Sequence, residues 1–310
     1  MIRVRSLVAA LSAILLIPAV AGCGSDGDDE PKNVSAKTAA LGTITPGVIK
    51  VAVQPYAPYT SVQGDKIVGL DGDILAYAAK KLGLEVKPQV TDFAGMLAGV
   101  QSRRVDITIG GVAWSADRQK QGLFTDPPYY SPPAMAVRSG KTYRTVDDLK
   151  GLQLGTVEGY VWVQSIQAVP GAKLHAYPDA NGVFDDLGAG RVDVGFLDPL
   201  IIIAAQKERP DLKIDTQYMT PPTAAQVKAK PAYEYFQPYQ TGFYLPKKAT
   251  KLEKAISAQI DAMYQNGELE KLVKKYGGDP EQFLKPSADV ATARRGVDRP
   301  QDWTPPSIAQ

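Results

Sequence analysis

The residues that could carry covalent or metal chemistry are few: one cysteine, Cys23, and one histidine, His175, in a chain of 310 residues. With one of each, no intramolecular disulfide can form and no zinc site of cysteines and histidines can be assembled. Cysteine–histidine catalysis would have to join these two residues, and a serine–histidine triad would have to use His175. His175 lies in a predicted strand and has no marked partner, which indicates a surface or edge histidine. We therefore expect no metal and no cofactor.

The charge of the chain is nearly balanced, since 35 lysines and arginines stand against 33 aspartates and glutamates. Such a chain has no bulk field that would draw it to nucleic acid. Hydrophobic residues make up 44% and charged residues 22%, which is typical of a folded chain and not of a disordered one. Recognition is therefore expected at local sites, with no nucleic-acid partner.

The N-terminus has the layout of a secretory signal. Two arginines within the first five residues precede an apolar run at 6–20, which is shorter than a membrane-spanning helix. The run ends in Val20-Ala21-Gly22-Cys23, which resembles a bacterial lipobox. This resemblance implies that 1–22 is a lipoprotein signal peptide and that Cys23 carries the lipid. Residues 23–43 then form a lipidated cysteine and a flexible tether, which anchors the protein on the extracytoplasmic side of the cell membrane. The alternatives are an ordinary signal peptide and a retained membrane anchor.

The elements that must position any site begin at Val48. From there short β-like runs alternate with amphipathic helical stretches, which predicts parallel sheets with crossover helices. Val48–Val53 is predicted to be a buried strand, and Asp92 is placed to cap a helix. The pattern of helix, basic turn and short strand at 96–107 is repeated at 183–194, so we expect two α/β bodies. Residues 279–310 contain five prolines and are predicted to form an irregular tail.

Four short motifs stand in order along the chain, at 68–73, at 104–111, at 115–118 leading to 124–127, and at 190–198. Together they resemble the extracellular solute-binding proteins of bacterial ABC importers, in the group that binds polar amino acids, over about 43–278. The resemblance implies an α/β fold of the periplasmic-binding-protein-like II type, with two Rossmann-like lobes, mixed and mostly parallel sheets, and a hinge of two chain crossings. The implied division is lobe 1 at 44–131 plus 238–278 and lobe 2 at 132–237.

The same resemblance implies a ligand site in the cleft between the lobes. Arg118 would hold an α-carboxylate through its guanidinium fork, aided by backbone groups of Gly111 and Ala113. Asp198, after the short strand of the second lobe, would accept hydrogen bonds from an α-ammonium. The competing interpretations are a surface arginine and an aspartate that caps the helix beginning at Pro199.

Aromatic side chains are expected to wall this cleft. Tyr56 and Phe93 match positions at which family members stack a ring on the ligand. Trp114 and Trp162 could add to the wall. Core packing is the competing explanation for all of them.

The chain departs from the family pattern at two places. Tyr160 and Val161 stand where many relatives carry hydroxyl residues, so a carboxylate contact there would rely on backbone N–H groups at a helix start. Val53 stands where receptors for basic amino acids carry an acid, which disfavours lysine or arginine as ligand. Five further acids are expected to be structural: Asp71, Asp73, Asp106, Asp126 and Asp193.

We therefore expect a lipid-anchored monomer that captures a small zwitterion, above all an amino acid, and delivers it to an ABC permease without catalysis. Two alternatives stay open. An extracytoplasmic dehydratase of the same fold would need a general acid, for which Glu158 and Asp198 are the candidates. A receptor for a quaternary ammonium solute would use an aromatic cage of Tyr56, Phe93, Trp114, Tyr160 and Trp162.

Overall fold

The structure is a computed structural model that describes residues 35–308. The predicted signal peptide, Cys23 and the tether up to residue 34 lie outside the described residues. Inside that range, none of the helices combines the length and the apolar character that crossing a bilayer requires. In the same range, no three histidine, cysteine, aspartate or glutamate side chains come together in a way that could hold a metal ion.

The strands follow the apolar runs of the sequence, and the first coincides with the strand predicted at Val48–Val53. Side chains of the inner strands at Val48–Val53 and Val194–Phe196 are mostly buried, whereas those of the edge strands at Glu85–Val90 and Lys173–Tyr177 are partly exposed. The strands are β1 (Val48–Val53), β2 (Ser61–Gln63), β3 (Lys66–Val68), β4 (Glu85–Val90), β5 (Ile107–Thr108), β6 (Gly122–Phe124), β7 (Tyr130–Ser131), β8 (Ala134–Arg138), β9 (Gln153–Val157), β10 (Lys173–Tyr177), β11 (Val194–Phe196), β12 (Ile214–Tyr218), β13 (Tyr239–Gln240) and β14 (Tyr244–Pro246).

Many of the helices begin at a capping side chain, as the sequence indicates for Asp92, whose carboxylate accepts a hydrogen bond from Gly95 N at 2.6 Å. Short 3-10 helices also occur, at Val146–Leu149, Pro210–Leu212 and Pro231–Phe236. The α-helices are α1 (Ala36–Ala39), α2 (Leu70–Leu82), α3 (Phe93–Gln101), α4 (Ala116–Gln121), α5 (Trp162–Gln167), α6 (Ala180–Gly188), α7 (Pro199–Glu208), α8 (Ala224–Ala229), α9 (Thr250–Gln265), α10 (Glu268–Lys275), α11 (Pro280–Phe283) and α12 (Ala288–Thr292).

Two five-stranded sheets organise the described chain, in the orders β4-β1-β5-β14-β6 and β10-β9-β11-β8-β12. In the first, β4, β1 and β5 are parallel while β14 and β6 pair antiparallel. In the second, β10, β9 and β11 are parallel, and β8 pairs antiparallel with both β11 and β12. The mixed character is as predicted, with antiparallel pairings as numerous as parallel ones. We call the bodies built on these sheets lobe 1 and lobe 2. His175 lies on the edge strand β10, as predicted, with Nε2 2.8 Å from Gln153 Oε1.

The chain runs between the two sheets twice, and the two stretches pair with each other. Strands β7 and β13 are antiparallel, with Tyr239 opposite Ser131 and Gln240 opposite Tyr130. We call this pair the hinge strands. They lie at the predicted crossings, while the lobe boundaries at 131/132 and 237/238 remain a prediction.

The tail beyond residue 278 is more ordered than an irregular segment. It contains α11, with Asp279 as a cap and proline in its first turn, and α12. Phe283, Leu284 and Arg294 are almost completely buried. The sequence prediction missed these helices because each is only one turn long and is stabilised by contacts with distant parts of the chain.

Candidate functional site

Arg118 is placed at the cleft by the start of α4. Ser115 caps this helix by accepting a hydrogen bond from Arg118 N at 3.2 Å. The guanidinium donates to Ala113 O at 2.7 Å within lobe 1 and to Gly159 O of lobe 2 at 2.8 Å. Its carbon lies 5.2 Å from the centre of the Phe93 ring. Burial lowers the pKa of Arg118, and within residues 35–308 no carboxylate forms an ion pair with it.

Asp198 follows β11 and faces the same cleft from lobe 2. Its carboxylate accepts hydrogen bonds from the hydroxyls of Tyr56 (2.9 Å), Ser131 (3.2 Å) and Tyr239. Asp198 occupies the N-cap position of α7, but its side chain makes no capping hydrogen bond to that helix. Burial is the main cause that raises the pKa of Asp198 to about 6, with the hydroxyl hydrogen bonds and Arg118 acting in the opposite direction. None of the described basic side chains forms an ion pair with it.

A glycine loop of lobe 1 reaches Asp198 closely. Gly110 and Gly111 both have a positive φ, and their N–H groups donate to one oxygen of Asp71 at 2.6 and 3.0 Å. A Cβ atom on Gly111 would lie 3.1 Å from Asp198 Oδ2. Asp71, which the sequence indicates as structural, therefore fixes the loop that carries the proposed carboxylate contacts.

Aromatic rings of both lobes meet around the cleft. Phe93 of lobe 1 contacts Tyr160 of lobe 2 with ring centres 4.7 Å apart, and Trp162 lies 5.9 Å from Tyr239. The Tyr160 hydroxyl accepts a hydrogen bond from Gln54 Nε2 at 2.9 Å. These contacts leave a cavity of about 10 Å³, which is about the space of one water molecule. The cavity is lined by Phe93, Gly111, Ala113, Arg118, Tyr160, Val161, Trp162, Asp198 and Tyr239.

Most residues of the predicted site thus line one cavity, and two of them do not. Tyr56 does not line it and contacts its wall through a hydrogen bond to Asp198 and an edge contact with the Tyr160 ring. Trp114 lines a different cavity, so the predicted five-residue aromatic cage is not brought together. Glu158, the other candidate general acid, is exposed and does not line the cavity.

Sequence reasoning missed Tyr239, Ser131 and Gln54 as parts of this site. Tyr239 and Ser131 lie opposite each other on the hinge strands, so their common contact with Asp198 depends on a pairing of distant segments. The sequence did contain one indication, since both residues lie near the two places where the chain is predicted to cross between the lobes. Gln54 follows β1 directly, which places it at the edge of the sheet where ligands of such α/β folds bind.

A cation on one wall and an anion on the other define what this site can do chemically. Arg118 belongs to lobe 1 and is half-buried, and Asp198 belongs to lobe 2 and is buried; neither forms an ion pair with a described residue. The guanidinium can pair with a carboxylate bidentately, and the aspartate can accept from an ammonium. A molecule that carries both groups would neutralise both walls.

Comparison with known proteins places this geometry in a family. The family model of bacterial extracellular solute-binding proteins, family 3, matches residues 49–279. The chain is 30% identical over 237 residues to the L-cystine-binding protein TcyJ of Escherichia coli K12, covering 75% of this chain and 83% of the relative. It is 27% identical over 229 residues to the arginine-binding extracellular protein ArtP of Bacillus subtilis 168, covering 71% and 82%.

Solved structures give the same result. An ancestral arginine-binding protein bound to arginine is 26% identical, with a TM-score of 0.65 over 75% of this chain and 99% of that one. The substrate-binding protein of an amino acid ABC transporter is 27% identical, with a TM-score of 0.63 over 74% and 99%. The resemblance indicated by the four motifs is therefore confirmed, and the chain belongs to the bacterial extracellular solute-binding proteins of family 3.

Proposed function

We propose that this protein is a receptor that binds a free amino acid between its lobes and delivers it to the permease of an ABC transporter. The observation that carries the proposal is the pair of opposite charges on facing walls of one cavity, the half-buried Arg118 and the buried Asp198, neither of which forms an ion pair with a described residue. Arg118 would take the α-carboxylate together with the Gly111 loop, and Asp198 would take the α-ammonium. The names of the cystine- and arginine-binding relatives support a ligand of this kind.

The side chain of the ligand should be neutral. Apart from Arg118 and Asp198, the cavity is lined by aromatic, aliphatic and glycine residues, and the buried Val53 supplies no acid at the end of β1. A lysine or arginine side chain enclosed here would be a buried charge without a partner, which costs several kcal/mol (roughly 3–5). We therefore expect neutral amino acids to bind and basic ones to be rejected.

Binding must involve movement of the lobes. A cavity of about 10 Å³ admits no amino acid, and the hydrogen bonds of Arg118 and Gln54 cross from one lobe to the other. The ligand would enter with the lobes apart and would replace Gly159 O as a partner of the guanidinium. Opening and closing about the hinge strands is the motion that a transport receptor requires.

The test measures whether a ligand stabilises the full chain in detergent. Thermal unfolding is monitored by intrinsic tryptophan fluorescence, with and without each amino acid. A neutral amino acid should raise the melting temperature, because a ligand that binds only the folded state stabilises it by mass action. Arg118→Ala and Asp198→Asn should each abolish the increase, while the exposed Arg104→Ala and Asp117→Asn should keep it. Far-ultraviolet circular dichroism checks that every variant is folded. A complete amino-acid panel without any increase would overturn the proposal.

The anchor and the absence of catalysis belong to the same proposal. Cys23 is proposed as the lipidation site, so Cys23→Ala should move the protein from the membrane fraction to the soluble fraction and remove incorporation of labelled fatty acid. A Cys23→Ala variant that stays in the membrane fraction and still incorporates labelled fatty acid would contradict this assignment.

We also propose that the protein is a monomer and that it releases its ligand chemically unchanged. Mass spectrometry of the ligand released after long incubation should find the starting compound, and a converted product would indicate an enzyme.

A further inference from the structure

A second cavity lies beside the hinge strands and shares one lining residue, Tyr239, with the cleft. Its volume is about 470 Å³, which is within the range of small-molecule sites, about 300–1,000 Å³. One wall is formed by the tail, with Asp289, Val290 and Val297, and another by Glu234 and Tyr235 of lobe 2. We call this cavity the hinge groove.

The tail wall is firmly attached to lobe 1. Arg294 is completely buried and donates to the carbonyl oxygens of Thr125 (2.7 Å) and Phe124 (3.1 Å). Arg299 forms ion pairs with Asp126 and Glu253, both at 2.8 Å. The groove is therefore bounded by fixed structure on the side of the tail.

The tail also contacts both hinge strands. Val290 O accepts a hydrogen bond from Gln240 Nε2 at 2.6 Å, and Pro306 O accepts one from Tyr130 OH at 2.5 Å. The family model ends at residue 279, so the wall at 289–297 lies outside the part that this chain shares with the family model. The tail wall of the hinge groove is therefore not part of the family match, and Tyr239 is the lining residue that the groove has in common with the amino-acid cleft.

The lining of the groove favours a positively charged ligand. Its residues include the rings of Trp114, Tyr235 and Tyr239 and aliphatic groups such as Val297. Apart from the tyrosines, the ionisable residues among them are Glu234 and Asp289, both exposed acids, and the lining contains no lysine, arginine or histidine. Aromatic faces and carboxylates together attract a cation with an apolar body.

Two lining residues, Trp114 and Gln240, each have a buried side-chain atom without a hydrogen-bond partner among the described residues, Nε1 in Trp114 and Oε1 in Gln240. Gln240 is 2% exposed, and its Oε1 is buried without any hydrogen-bond donor among the described residues. Its amide nitrogen is already used on the tail, so exchanging the two amide positions would not satisfy both atoms. A buried acceptor without a donor is costly, and an N–H group that enters the groove would supply one.

We propose that the hinge groove is a second binding site, for a small organic ammonium that carries an aromatic or aliphatic body. The ammonium lies between Glu234 and Asp289 and donates toward Gln240, and the body packs on the aromatic wall. The site has no cation that could hold an α-carboxylate, so its ligand is an amine and not an amino acid.

The probe is 2-phenylethylamine, titrated into the full chain in detergent at neutral pH by calorimetry. Binding should occur in the micromolar to low millimolar range, phenylacetate should not bind, and 2-phenylethanol should bind at least tenfold more weakly. The double variant Glu234→Gln, Asp289→Asn should weaken binding of the amine about tenfold or more. Equal binding of phenylacetate, or no binding of the amine at 10 mM, would overturn the proposal.

Two lysine substitutions locate the bound amine. Val297→Lys places an ammonium at the groove, where Val297 is 54% exposed, and should abolish binding. Val90→Lys adds the same charge at a position on β4 that is 56% exposed and outside the groove, and should leave binding unchanged. Binding that survives Val297→Lys would place the amine elsewhere, for example at Asp198, and would contradict the assignment.

Discussion

At the scale of single residues, the cleft holds a half-buried cation, Arg118, and a buried anion, Asp198, and no described residue forms an ion pair with either. Arg118 is stabilised by two backbone carbonyl groups, and Asp198 is stabilised by three hydroxyl groups. Neutral hydrogen-bonding partners reduce the cost of burying a charge but do not cancel it. Both residues therefore keep electrostatic free energy that a zwitterion can release on binding, and the affinity should depend on their ionisation.

The first prediction concerns pH. Burial raises the pKa of Asp198 to about 6, so the carboxyl is increasingly protonated below that pH and accepts an ammonium less well. Affinity for the amino acid should be constant above pH 7 and should fall progressively as the pH drops from 6 to 5. Calorimetric titrations across this range measure the effect, and an affinity that does not vary between pH 5 and 7 would contradict it.

The stability of the free protein should move in the opposite direction. Because the folded pKa of Asp198 lies above its ordinary value of 3.8, the folded state binds the proton more tightly than the unfolded state. The contribution of Asp198 to the free energy of unfolding is therefore greatest below about pH 4 and declines between about pH 4 and 6. Above about pH 6 this contribution no longer changes with pH. Comparing urea unfolding of the protein with that of Asp198→Asn, in which this dependence should be missing, isolates the contribution.

A second prediction concerns Gly111, where the loop comes closest to Asp198. Gly111→Ala adds a Cβ 3.1 Å from Asp198 Oδ2 at a φ of +67°. A left-handed backbone costs a non-glycine residue about 1–2 kcal/mol, and the new methyl group also obstructs closure. Gly140→Ala is the matched control, since its φ is +82° with nothing within 4 Å. Both variants should lose similar stability, and only Gly111→Ala should lose affinity. Equal affinities would show that the loop does not need this close approach.

At the scale of elements, local sequence patterns were sufficient to predict a helix or strand wherever that element is stabilised by its own residues. The strand at Val48–Val53 and the helix capped by Asp92 were predicted because apolar periodicity and a cap are local signals. Arg118 and Asp198 could be assigned through motifs. The contacts of Tyr239 and the orientation of Trp114 could not be predicted, because they depend on how segments far apart in the sequence pair with each other.

The tail shows the same limit and supplies the third prediction. Arg294 stands in a polar stretch that has no apolar pattern, yet its guanidinium is completely buried and pairs with Asp298. Removing one partner of a buried ion pair costs about 3–5 kcal/mol. Arg294→Ala should lower the free energy of unfolding in urea by about this amount. Lys120→Ala, which breaks an exposed pair with Asp117, should have no measurable effect. A loss below about 1 kcal/mol for Arg294→Ala would show that the tail is not held in this way.

At the scale of the whole molecule, the two lobes are joined across the cleft by direct hydrogen bonds. The Tyr56 hydroxyl bonds to Asp198, Gln54 bonds to Tyr160, and Arg118 bonds to Gly159. Each of these pairs has one member in each lobe. These hydrogen bonds hold the cleft closed, so the rate of ligand entry should depend on the fraction of molecules in which the lobes have separated.

The last prediction tests this dependence with Gln54, whose hydrogen bond to Tyr160 OH measures 2.9 Å. Gln54→Leu removes an interlobe hydrogen bond without touching Arg118 or Asp198. A hydrogen bond contributes about 1 kcal/mol, so the open fraction, and with it the association rate constant in stopped-flow fluorescence, should rise about fivefold. Gln206→Leu is the control, because its side chain accepts from Thr216 within lobe 2 and its loss cannot change the lobe equilibrium. If both variants bind at the rate of the unmodified protein, opening does not limit entry, and these bonds form only after the ligand has bound.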